Sequence, residues 1–162
     1  MAGFRCGWMC LSGPKQNAKS YIQGVNLLSS MRLCSNVPAQ SIIQTALGGI
    51  QSADELLLPG GRLFEQREVI YNELSAIDGI SVVKPDAAFY IFPKIDTQKI
   101  HINNDEKFAM DLLKKKYVLI SHGTGFNMPE PGYFRIVYLP DKEILHEACV
   151  RLGSFLQTYS QF

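Results

Sequence analysis

Two arginines carry the strongest chemical signal in this sequence. In Tyr133-Phe134-Arg135-Ile136-Val137-Tyr138-Leu139, strand alternation puts Arg135 on the same face as Val137 and Leu139. A guanidinium does not give up its proton, so setting it among apolar neighbours calls for an anion. Its fork matches a carboxylate through two parallel hydrogen bonds. The anion could be an internal Asp or Glu, the side chain could be solvated, or a small acid could bind there. Arg5 stands between Ala2-Gly3 and Cys6-Gly7. Small residues on both sides let a ligand approach closely, so Arg5 could bind phosphate or lie solvated on an edge strand.

Other candidates read as scaffold. Gly123-Thr124-Gly125-Phe126-Asn127 lacks the spacing of a P-loop or a dinucleotide fingerprint, and reads as a shaped loop near a site. Tyr90 and Tyr138 read as strand core. His101, His122 and His146 lie far apart and read as structural or solvated. Cys6, Cys10, Cys34 and Cys149 form no CxxC pair, so they read as reduced and mostly buried thiols; no metal is expected. Lys114-Lys115-Lys116 suits the negative end of a helix. Arg32 reads as a helix-end arginine.

The elements that must hold these residues can be read from periodicity. Phe4 to Leu11 reads as a strand stopped by Ser12-Gly13-Pro14. A strand with no turn before it makes Met1 look like a truncation boundary. Residues 16–31 and 39–50 read as helices, with Pro38 at the start of the second. After Pro59-Gly60-Gly61, the positions Leu63, Ile70, Leu74 and Ile77 trace one face of a long helix. Strands are expected at 80–83, 88–92, 117–121 and 133–139. A helix capped at Asn104-Asp105 runs to Lys116, and a last one starts at Asp141 with Leu145, Ala148, Leu152, Phe155 and Tyr159 in a stripe. This mixture predicts an α/β or α+β two-layer fold.

Composition narrows the function. Hydrophobic residues make up 46% of the 162 residues, enough for a core. Lys and Arg number 16 against 15 Asp and Glu, which disfavours nucleic acid and a polybasic membrane patch. No apolar run reaches the roughly 20 residues of a membrane span, and no leader peptide is visible, so a cytoplasmic location is expected.

Ala2-Gly3-Phe4-Arg5-Cys6-Gly7-Trp8 resembles the Gly-x-Arg-x-Gly-Trp segment that follows the Schiff-base lysine in class I/II aminotransferases of fold type I. Phe134-Arg135-Ile136 resembles that family's carboxy-terminal arginine strand. Arg32 to Gln40, Pro59 to Arg62, Lys84-Pro85, Ala88 to Asp96 and Gly123 to Asn127 are similar to its bacterial glutamate–pyruvate (alanine) branch. The resemblance covers essentially the whole chain and keeps its order. It implies that residues 1–50 are a fragment of the large cofactor-binding domain with interdomain and intersubunit helices. Residues 51–162 would then be the carboxy-terminal small domain. It implies pyridoxal 5'-phosphate as cofactor, Arg5 on the cofactor phosphate and Arg135 on the substrate carboxylate. Arg32 would lie where a dimer interface could bring it near a distal carboxylate. The substrates would be an amino acid and a 2-oxo acid, and the full-length protein a homodimer. The Schiff-base lysine would fall upstream of Met1, leaving no catalytic residue in the chain and no activity by itself. Alternatives are another aminotransferase or a carbon–sulfur lyase of the superfamily, or a non-catalytic binding or regulatory module.

Overall fold

A computed structural model of the chain describes residues 2–161. The chain divides into two compact units, residues 1–52 and 53–162.

The first unit is helical. A 3-10 turn over Ala2–Phe4 leads into extended chain. A second 3-10 turn, Lys15–Ala18, opens α1, Lys19–Arg32. Then come α2, Val37–Ser41, and α3, Ile43–Gly48. The strand expected from Phe4 to Leu11 is not formed. Among the described residues no strand pairs with residues 5–12, which are exposed throughout, so their backbone groups face water instead of a ladder neighbour. The helix expected over 39–50 is split at Ile42. Asn36 caps α2 by accepting from the Ala39 amide, with Pro38 in its first turn. Among the described side chains of this unit Ala39 is the one apolar residue that is fully buried; Trp8, Leu27, Leu28 and Met31 are exposed.

The second unit has a sheet layer and a helix layer. Its elements are α4 (Asp54–Leu57), α5 (Arg62–Ala76), β1 (Ile80–Ser81), β2 (Tyr90–Ile91), β3 (Lys94–Ile95), α6 (Thr97–Ile100), α7 (Asp105–Lys116), β4 (Ser121–His122), β5 (Phe134–Val137) and α8 (Lys142–Leu156). β5 is the centre of an antiparallel sheet ordered β2-β5-β4. Tyr90 lies opposite Val137, and Ser121 opposite Arg135. β1 and β3 form a separate antiparallel pair. The mixed two-layer class read from the sequence is the one observed, with shorter strands. Residues 118–120 stay irregular because Tyr117 ends α7 in the left-handed region.

Phe134 and Ile136 face the helix layer, where Ile70, Leu74, Phe108, Leu112, Leu152 and Phe155 make the core. Phe108 is its hub, with ring centroids 6.0 Å from Phe134 and 5.9 Å from Phe155. Burying one such aromatic contributes on the order of 1.5–3 kcal/mol. The long apolar stripes of α5 and α8 supply this core as their periodicity predicts. Buried Gln66 breaks the α5 stripe for a reason: its amide donates to the carbonyls of Leu139 (3.1 Å) and Pro140 (2.6 Å). Arg62 donates to the same Leu139 carbonyl at 2.9 Å. Helix α5 thereby fixes the chain just beyond β5.

Candidate functional site

Arg135 sits mid-strand in β5, half-buried, on the face opposite the core. Its strand neighbours on that face, Val137 and Leu139, are partly exposed. The apolar burial expected from the sequence is therefore supplied by other groups. The Tyr90 ring centroid lies 4.5 Å from the guanidinium carbon and the Phe126 ring 4.3 Å from it. Both rings are near enough for cation–π attraction of roughly 0.5–2 kcal/mol each. They arrive from different places. Tyr90 is opposite Val137 across the β2–β5 ladder, one diagonal step from Arg135. Phe126 ends a 3-10 turn, Thr124–Phe126, that follows β4, and is packed edge-on by Phe92 at 5.9 Å.

Two properties follow. First, rings held on the guanidinium leave its N–H edge as the route to a partner. An arginine side chain carries about 2 kcal/mol of rotamer entropy, and prior restraint lowers what binding must still remove. Second, the charge is not answered internally. Among the described residues Arg135 has no salt bridge to an Asp or Glu. Its Nε is buried without a hydrogen-bond partner. A planar oxyanion meeting that edge satisfies the site through paired N–H donors.

The rings are themselves fixed. Tyr138, read from the sequence as core, is buried, and burial raises its phenol above the usual range. Its hydroxyl donates to the Ala88 carbonyl at 2.8 Å. Ala88 is left-handed at φ 61°, and this bend leads the chain into β2. Tyr90, also read as core, is 37% exposed instead, because its face of the sheet carries the arginine rather than helices. The Gly123–Asn127 loop is a tight turn: the Gly123 amide donates to Tyr133 O at 2.8 Å and the Phe126 amide to Gly123 O at 2.8 Å. A Cβ at Gly123 would come within 2.6 Å of the Tyr133 Cβ, so only glycine fits.

Arg5 belongs to the first unit. It is exposed and left-handed at φ 53°, directly after Phe4, whose carbonyl accepts from Asn36 at 3.0 Å. A Cβ at Gly3 or Gly7 would meet no atom within 4 Å, so the chain on either side is open. Arg32 ends α1 and donates to the Cys34 carbonyl at 2.7 Å.

The remaining candidates are scaffold. His146 pairs with Glu73 at 2.7 Å, and His122 contacts Thr124 at 2.9 Å. The thiols are not mostly buried: Cys6, Cys10 and Cys34 are exposed and only Cys149 is buried. The first unit has almost no core to cover them. Among the described residues no cluster of His, Cys, Asp and Glu could hold a metal ion. No helix among them is long and apolar enough to cross a membrane. The sequence reading missed Tyr90 and Phe126 as neighbours of Arg135. Strand parity places Tyr90 on a face, yet nothing in the sequence says that Phe126 reaches the same face.

The two-layer unit that carries this arginine has a family. The family model for aminotransferases of class I and II matches residues 1–152, and the chain belongs to that family. It is 56% identical over 161 residues to the glutamate–pyruvate aminotransferase AlaA of Haemophilus influenzae, covering 99% of this chain and 40% of that protein. It is 50% identical to an alanine aminotransferase of Mycobacterium tuberculosis, with 99% and 38% covered. Among solved structures, an aminotransferase from Escherichia coli superposes with a TM-score of 0.82 at 50% identity over 99% of this chain and 40% of that one. The alanine aminotransferase from Pyrococcus furiosus superposes at 0.67 with 37% identity, over 89% and 36%. The chain thus spans about 40% of the length of the curated relatives it matches.

Proposed function

We propose that the whole protein transfers an amino group between an amino acid, alanine or glutamate, and a 2-oxo acid, with Arg135 holding the substrate α-carboxylate. The observation that carries this reading is the buried, unpartnered Nε of an arginine lying between Tyr90 and Phe126. The aminotransferase names of relatives 56% and 50% identical support the substrate pair. Arg135 binds the carboxylate through its N–H edge, and Tyr90 and Phe126 exclude water from the guanidinium faces. Together they fix the orientation in which the α-carbon is presented.

Pyridoxal 5'-phosphate is the cofactor the family implies. Its phosphate end fits Arg5, an arginine on a left-handed turn with open space at Gly3 and Gly7; Arg5 would hold that phosphate. When bound, the cofactor supplies an electron sink for the substrate α-carbon. On this reading residues 1–50 are part of the cofactor-binding domain and 51–162 the small domain. The whole enzyme is a cytoplasmic homodimer, and the 162-residue chain alone is inactive because the resemblance puts the reactive lysine outside it.

The test is the Arg135→Lys variant of the complete enzyme, assayed with alanine and 2-oxoglutarate. Lysine keeps the charge and loses the fork. Truncating a buried charge pair costs about 2–5 kcal/mol, so kcat/KM should fall about 30-fold or more, at 1.36 kcal/mol per tenfold. Efficiency within about twofold of the parent would remove Arg135 from the site.

A further inference from the structure

Asp105 is the first residue of α7 and is only 3% exposed. Buried carboxylates need a reason, and helix capping is not it. Asn104 is the cap, its side chain accepting from the Lys107 amide at 2.7 Å. The Asp105 carboxylate instead crosses to the loop after β4. Oδ2 accepts from the Thr124 amide at 2.8 Å, and Oδ1 from the Thr124 hydroxyl at 2.7 Å. The nearest cation-capable group is His122, whose Nδ1 is 3.9 Å from Oδ1. Thr124 is the first residue of the 3-10 turn whose last residue is Phe126.

We infer that Asp105 is a positioning residue for the carboxylate site: through its two hydrogen bonds to Thr124 it holds the turn that keeps the Phe126 ring over Arg135. This rests on the reading of Arg135 as the substrate-carboxylate ligand. The turn has three anchors, one of them the Gly125 amide donating to His122 Nδ1 at 3.2 Å. At Gly123 the backbone is bonded to Tyr133 at the foot of β5, which sets the turn's height. At Thr124 the anchor is Asp105, which sets its rotation. Thr124, Gly125 and Phe126 are all exposed, and beyond these bonds the turn is packed by Phe92 against the Phe126 ring. Without the Asp105 anchor the turn keeps its Gly123 and His122 bonds but loses the two that fix Thr124, the Phe126 ring is held less firmly over Arg135, and the guanidinium regains rotamer freedom that carboxylate binding must then remove.

The experiment uses the 162-residue chain and acetate as the monocarboxylate probe, read at the Arg135 Nε–Hε cross-peak. In the parent chain Hε should be shifted upfield by the Tyr90 and Phe126 rings, and acetate should move the peak. In Asp105→Ala the peak should move downfield and the acetate Kd rise about threefold, as for loss of one cation–π face. Asp105→Asn should restore both, because its amide oxygen accepts from the Thr124 amide while its NH2 donates to the hydroxyl. A merely structural role would not predict that rescue at the Arg135 resonance. Should Asp105→Ala fail to fold, Thr124→Val removes the hydroxyl alone and should shift the peak in the same direction. An Arg135 peak and acetate Kd unchanged in Asp105→Ala, or in Thr124→Val where that is the variant that folds, overturn the inference. Acetate leaving the parent peak unmoved would instead overturn the reading of Arg135, while the ring-current shift would still decide the role of Asp105.

Discussion

The Tyr138 hydroxyl donates to the carbonyl of Ala88, a residue held at φ 61° half the unit away in sequence. A non-glycine residue in that region costs on the order of 1–2 kcal/mol, and the buried phenol helps to hold the bend. Tyr138→Phe keeps the ring packing and removes only the bond. Urea unfolding should show a loss of about 1 kcal/mol. The Arg135 Nε–Hε peak should also shift, because the bend sets where Tyr90 enters the sheet.

Tyr90→Leu tests the other face of the guanidinium directly. Leucine keeps apolar bulk and removes the quadrupole. Acetate affinity, measured by the same titration, should fall about two- to fivefold, in line with about 0.5–1 kcal/mol for a partly exposed cation–π pair. Tyr90→Phe should leave it nearly unchanged, since the ring carries the contact.

Thiol chemistry should divide the cysteines three to one. Cys6, Cys10 and Cys34 are exposed, and Cys149 is buried. Burial, with the Glu73 charge adding to it, pushes the Cys149 thiol up to about 12. A thiol needs its thiolate to react. Titration with a disulfide reagent near pH 8 should therefore modify three thiols in the folded chain, and the fourth only in denaturant.

The same burial predicts alkaline weakening. Cys149 stays protonated in the folded state up to about 12, while an unfolded thiol ionises near ~8.5. The unfolded state thus releases a proton that the folded state keeps. Stability from this group is constant below ~8.5 and falls above it, by about 1.4 kcal/mol per pH unit, until pH nears the folded value. Tyr138, raised chiefly by burial, acts in the same sense at higher pH. Denaturation midpoints between pH 8 and 11 should fall, and Cys149→Ala should flatten the first part of the decline.

Trp8 gives a probe of the first unit, being the chain's single tryptophan and 67% exposed. Together with exposed Leu27, Leu28 and Met31, it presents apolar surface of the kind that marks contacts. The isolated chain should self-associate as concentration rises, with Trp8 emission shifting to the blue. Sedimentation as a monomer at high concentration, with unshifted emission, would contradict this.

The long periodic elements were legible in the sequence. The stripes of α5 and α8 and the Asn104 cap of α7 are local patterns in which residues three and four apart share a face. Arg135 was legible too, because strand parity fixes its face and its guanidinium stays charged. The family motifs were continuous stretches of sequence. Three things depended on tertiary structure. Phe4 to Leu11 has strand-like composition but pairs with no strand among the described residues, and a strand exists only as a pair. Tyr90 looked like core, yet its burial depends on what covers that face of the sheet. Above all, the Asp105, Thr124, Phe126 and Arg135 constellation joins a helix start, a turn and a strand. Its members meet only because β4 folds back beside β5 and brings α7 with it. No local periodicity encodes such a meeting, since hydrogen bonds and ring contacts between distant segments are fixed by packing rather than by neighbours in the chain.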